Sequence, residues 1–115
     1  MKIVINTDFG GFNLSDEAFS RYLELSGIEY ETEMSEYDMV MFYRKGHLGN
    51  DEHYLWDGDV PRDNPFLVQV VEKMGEKANG RYAQLKVVEI PDGVEWEIMD
   101  YDGIESIHEK HRVWR

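Results

Sequence analysis

Apolar positions along this chain recur with two different periods, and the changes of period mark out its elements. Ile3-Val4-Ile5 is a short β-branched run that reads as a buried strand over residues 2–6. After a loop over 7–13, Ala18, Phe19, Tyr22 and Leu23 return at helical spacing. Ser15 stands where an N-cap belongs, and Asp16 and Glu17 occupy the first turn, where the helix dipole favours carboxylates. Gly27 suits the position just past the last turn, so the pattern predicts a helix over 16–26. A second helix, over 65–78, opens with Asn64 as cap and Pro65 at the first helical position, where a missing N–H costs nothing. Phe66, Leu67, Val70, Val71, Met74 and Ala78 make its apolar face, and Asn79-Gly80 closes it.

The remaining segments read as strands. Residues 28–33 alternate strictly, residues 38–44 are rich in Met, Val, Phe and Tyr, and 53–56 form a short strand inside the loop 45–59. Three more follow at 84–90, 94–101 and 104–110. Pro91-Asp92-Gly93 and Asp102-Gly103 are the turns that would join them as a meander. The order β-α-β-β-α-β-β-β predicts an α+β fold with two helices packed on one face of a mostly antiparallel sheet. At 115 residues, 42% of them hydrophobic, the chain fits a single acidic domain with a real core.

Charge narrows the range of partners. Twenty-four acidic residues against 12 basic ones give a net charge of −12, and between Glu89 and Glu109 eight carboxylates occur without one Lys or Arg. No basic stripe is present to meet a phosphate backbone, and an anionic membrane surface repels such a chain. A basic protein would instead be steered toward it. Absence of cysteine removes disulfides, thiol catalysis and Cys-based zinc sites. No apolar stretch reaches transmembrane length, and Ile3-Val4-Ile5 is too short for a signal peptide, so a cytoplasmic protein is expected.

Candidate chemistry gathers at the two helix mouths. Gly10-Gly11-Phe12 lies between a strand and a capped helix, where backbone N–H groups can meet an anion and glycine permits close approach. The plainer alternative is a tight turn needing positive φ. Arg62-Asp63 precedes the second helix, and its guanidinium suits a carboxylate or phosphate clamp; the alternative is an Arg62–Asp63 surface pair beside an N-cap. At the chain end, His111, Arg112 and Trp114 offer two basic groups and a ring for stacking. The expected ligand-binding set is therefore Gly10, Gly11, Phe12, Arg62, Asp63, His111, Arg112 and Trp114. His108 and His111 fall on opposite faces of a strand, so no metal is expected there, nor at His47 and His53. With no P-loop, nucleophile elbow or Cys/His pair, neither an enzyme nor a cofactor is expected.

Two blocks carry a resemblance. One is Lys2-Ile3-Val4-Ile5-Asn6 with Gly10-Gly11-Phe12, Leu14-Ser15 and Glu17-Ala18. The other runs from Pro61-Arg62-Asp63-Asn64-Pro65 through Val88-Glu89-Ile90-Pro91-Asp92, Glu95-Trp96-Glu97-Ile98 and Tyr101-Asp102-Gly103 to His111-Arg112-Val113-Trp114. In these the chain resembles a group of small acidic proteins of tailed bacteriophages and prophages, leaving residues 27–57 unmatched. Phe9 and Asn64 depart from the tyrosine and aspartate that the group often carries there. The resemblance implies a phage product acting inside a bacterial host, and no activity. In that setting two mechanisms fit. One is non-enzymatic sequestration of a small anionic or nucleotide-like ligand at the helix mouths, with a homo-oligomer supplying the chain-end residues. The other is mimicry of nucleic acid by the acidic face, which would block a basic host protein.

Overall fold

The computed structural model describes residues 1–110. Its elements are β1 (Lys2–Asn6), α1 (Asp16–Leu25), β2 (Tyr30–Met34), β3 (Val40–Arg44), β4 (Tyr54–Leu55), α2 (Pro65–Met74), β5 (Leu85–Glu89), β6 (Trp96–Tyr101) and β7 (Ile104–Glu109). Single 3-10 turns at Asp51–His53 and Asp57–Asp59 flank β4, and another follows α2 at Gly75–Ala78. The fold is α+β, and every strand pairing is antiparallel.

Both helices begin as expected. Ser15 Oγ accepts the Ala18 N–H, and Asn64 Oδ1 accepts from Phe66 and Leu67. At the end of α1, Ile28 N–H donates to Leu23 and Gly27 N–H to Glu24, a Schellman arrangement that requires the positive φ of Gly27. Helix α2 is shorter than the pattern predicts. Gly75, without a Cβ, takes φ +57° and turns the chain into the 3-10 segment that carries Ala78.

Strand pairing is the main departure from the expected meander. Strand β5 pairs with β1, not with β6, in register Ile3↔Val88 and Val4↔Val87. The cause lies in β1: Ile3 and Val4 are fully buried and point to opposite faces, so the strand needs cover on both sides and an apolar neighbour. Strands β6 and β7 form a local hairpin across Asp102-Gly103, whose φ values of +50° and +91° suit a tight primed turn. With β2, β3 and β4 in order, the strands make three small sheets.

One core joins the layers. Val4 and, on β5, Leu85 and Val87 face Leu67, Val70 and Val71 of α2 and Phe19 and Leu23 of α1. Phe19 meets Phe42 of β3 edge to face at 4.9 Å, which ties α1 to the second sheet. No described helix is long and apolar enough to cross a membrane.

Candidate functional site

Four of the residues expected to bind a ligand, Gly10, Gly11, Phe12 and Arg62, come together, but around an internal carboxylate. Asn64 caps α2, so the loop before it holds Arg62 against β1: Val4 N–H donates to the Arg62 carbonyl at 2.9 Å. The Arg62 guanidinium lies 3.7 Å over the Phe12 ring. It donates to both oxygens of Glu105, Nη1 to Oε1 at 2.6 Å and Nη2 to Oε2 at 2.8 Å. Glu105 Oε1 also accepts the Asn6 N–H at 2.8 Å, and Arg62 Nη1 reaches the Val4 carbonyl at 3.3 Å. With β5 on its other side, β1 would otherwise present these groups as a bare edge. The ion pair covers that edge and holds β7 beside it.

Gly10 and Gly11 belong to the same junction. Their φ values are +108° and +93°. A Cβ on Gly103, at the hairpin tip, would stand 2.4 Å from Gly11 N and 2.8 Å from Gly10 N. The close approach that glycine permits is thus made by the hairpin. Asn6, fully buried, completes the seam: its side chain donates to the Asp8 and Gly103 carbonyls and accepts from Gln84 and Asp8. Asp63 lies apart, beside Pro65, Met1 and Lys2 at the foot of α2. The alternative reading, an Arg62–Asp63 surface pair, gives way to Arg62–Glu105. His111, Arg112 and Trp114 lie outside the described residues. Among those described, no cluster of three His, Asp or Glu is placed to hold a metal; His47 and His53 stack ring on ring at 3.7 Å, and His108 meets Ser106 Oγ at 2.8 Å.

An open recess of about 460 Å³ lies elsewhere, at the mouth of α1. Phe19 and Phe42 form its apolar floor, and Tyr54 and Trp56 its aromatic wall; Asp16, Asp38 and Asp57 bring carboxylates, and Arg81 a guanidinium. Trp56 is 56% exposed, although its ring lies against Gly58, where a Cβ would fall 2.4 Å from Cζ2. The missing Cβ of Gly58 therefore leaves room for the indole, which stays more than half exposed. Asp57, by contrast, is buried. Its Oδ2 accepts from Asn13 Nδ2 and from Leu14 N–H, both at 2.9 Å, and so fastens the 3-10 turn to the α1 approach. Burial pushes its carboxyl above the ordinary value, against the hydrogen bonds from Leu14, Asn13 and Gly58 that pull it down. The Tyr54 hydroxyl is raised by burial first and by the Asp57 charge second.

Among the described residues lining the recess, the hydroxyl of Ser15 donates to the Lys77 carbonyl and not to a base. The arrangement can stack a flat or cationic group on Trp56 and meet hydrogen-bond donors or positive charge with carboxylates. Sequence reasoning missed Trp56, Asp57 and Glu105. Trp56-Asp57-Gly58-Asp59 carried a usable signal, an aromatic before a turn. Glu105 carried none, being one acid among many in the hairpin. No protein-family model matches this chain, and neither a curated protein nor a solved structure does.

Proposed function

We propose that the protein is a non-enzymatic binding module whose working surface is the recess around Trp56, and that its partner is a positively charged component of the cell in which it acts. The supporting observation is the indole itself: more than half exposed, backed by Gly58, and bordered by Asp16, Asp38 and the buried Asp57, whose Oδ2 is held by Asn13 and Leu14, against one guanidinium. A nucleotide-like ligand would have to bring its phosphates past Asp16, Asp38 and Asp57 to reach Arg81, and Arg62, the other clamp, is already occupied by Glu105. The charge of the recess favours the basic partner instead. The resemblance to phage proteins supports a setting in which that partner belongs to a bacterial host, and the carboxylates of the β6–β7 hairpin add long-range steering.

The test is a titration of ¹⁵N-labelled protein with tetralysine and, separately, with ATP, following the Trp56 indole N–H assigned through Trp56→Phe. Tetralysine is expected to shift that resonance and ATP to leave it in place. A shift with ATP and none with tetralysine would return the reading to nucleotide capture. Silence with both would remove the recess as a working surface.

A further inference from the structure

Strand β4 is two residues long and pairs with β3 along one edge only. Two hollows adjoin it, the 460 Å³ recess and a second of about 260 Å³; Phe19, Tyr54, Leu55 and Trp56 line both. Leu55 packs against the core, so Tyr54 and Trp56, two residues apart on an extended chain, share the outward side. They are 41% and 56% exposed. The strap thus carries an exposed aromatic pair that borders both hollows.

Each hollow is acidic. Asp16 and Asp38 join Asp57 in the first, and Glu52 and Asp59 line the second, against one arginine apiece, Arg81 and Arg44. The ion pairs among the described residues are Met1–Asp92, Lys2–Glu72 and Arg62–Glu105, so Asp16, Asp38, Glu52 and Asp59 have no cation at ion-pair distance there. Unpaired carboxylates on both flanks of an exposed indole make the complement of a segment carrying two positive charges. A cation over an indole face gains about 0.5–1 kcal/mol when exposed and more when desolvated. A carboxylate beside it adds to that attraction, while a phosphate would meet four acids against two guanidinium groups, Arg81 and Arg44.

Resting on the reading above, we infer that the β4 strap docks a peptide segment bearing two arginine or lysine side chains, one in each hollow, with the Trp56 indole between them. The hollows are bounded by different elements, the α1 mouth for the first and the 51–53 turn for the second, so each can be altered alone.

The experiment uses the full chain and two fluorescein-labelled peptides, Gly-Arg-Gly-Arg-Gly and the same peptide with glutamine in place of its second arginine, read by polarisation at about 0.15 M salt. The two-arginine peptide is expected to bind about tenfold more tightly, equal to ~1.4 kcal/mol. Asp16→Asn with Asp38→Asn, or Glu52→Gln with Asp59→Asn, should each bring it down to the affinity of the single-arginine peptide. Trp56→Ala should abolish binding of both, and the hairpin variant Glu95→Gln with Glu97→Gln, which removes the same charge, should change affinity less than about twofold. Circular dichroism confirms that each variant is folded. Equal affinity for the two peptides, with Trp56 still required, would overturn the two-hollow inference and leave the binding module standing. A hairpin variant as damaging as the hollow variants would overturn it in favour of diffuse acidity. If neither peptide binds, both readings fall.

Discussion

Arg62 and Glu105, 43 residues apart in sequence, meet through two parallel hydrogen bonds of 2.6 and 2.8 Å, with side chains only 18% and 5% exposed. The pair does a strand's work. It satisfies the Asn6 N–H and the Val4 carbonyl on the edge of β1 that no strand covers, and it anchors the acidic hairpin to the body of the domain. An arginine that reads as a ligand clamp is in this fold a clamp on the protein's own carboxylate.

Breaking that pair from one side leaves the partner charge buried, which costs about 3–5 kcal/mol. Arg62→Met and Glu105→Gln are each expected to lower stability on that scale, and the double variant to lose clearly less than the sum. Urea midpoints for the four proteins of the cycle check this. Single losses below about 1 kcal/mol would show that water replaces the pair without penalty.

Asn6 makes four side-chain hydrogen bonds in a fully buried position. Asn6→Leu keeps the branched shape, in somewhat greater bulk, and strands the N–H groups of Gln84 and Asp8 together with the Gly103 carbonyl. A loss of about 3 kcal/mol is expected, since an unsatisfied buried group costs about 1–3 kcal/mol. Hydrogen exchange should show faster amides in β7, because the hairpin loses its tether. Unchanged exchange there would place the anchor elsewhere.

Gly103 and Gly11 separate strain from collision. Both have positive φ, +91° and +93°, but a Cβ at Gly103 meets Gly11 N at 2.4 Å whereas one at Gly11 meets nothing within 4 Å. Gly11→Ala is expected to cost about 1 kcal/mol from backbone strain alone, and Gly103→Ala about 2–3 kcal/mol. Melting temperatures rank them. Equal effects would mean that the hairpin tip is not seated on the glycine loop.

Asp57 gives a pH dependence with a definite sign. Its native carboxyl is raised above the ordinary 3.8, so the folded state binds the proton more tightly than the unfolded chain. Stability from this group is therefore full below that ordinary value and declines as pH rises through the raised native one. Asp57→Asn should remove this decline and flatten the stability profile across the window just above pH 3.8, while keeping an oxygen for Leu14 N–H. Urea unfolding at several pH values across that window reads the slope. An unchanged profile would show that the hydrogen bonds from Asn13, Leu14 and Gly58 cancel the cost of burial.

The elements most fully written in local sequence were the helices. Ser15, Asn64, Pro65 and Gly27 act within a few residues of where they stand, and the structure uses each as its chemistry suggests. The Asp102-Gly103 turn is equally local, since two adjacent residues must both take positive φ. Gly75 shows the limit: several glycines accept a helix-ending φ, and which one ends α2 depends on where Ala78 must be buried.

Pattern and composition by themselves determined an α+β class, two capped helices, a hairpin at Asp102-Gly103 and a strong negative charge, because capping, periodicity and turn conformation are properties of neighbouring residues. Tertiary structure alone decided that β5 joins β1, that Glu105 occupies Arg62, and that Trp56 rather than the glycine loop faces an open recess. Those choices depend on which carboxylate or strand reaches a given edge once the core has closed, and many acids along this chain are equivalent until distance and burial select one.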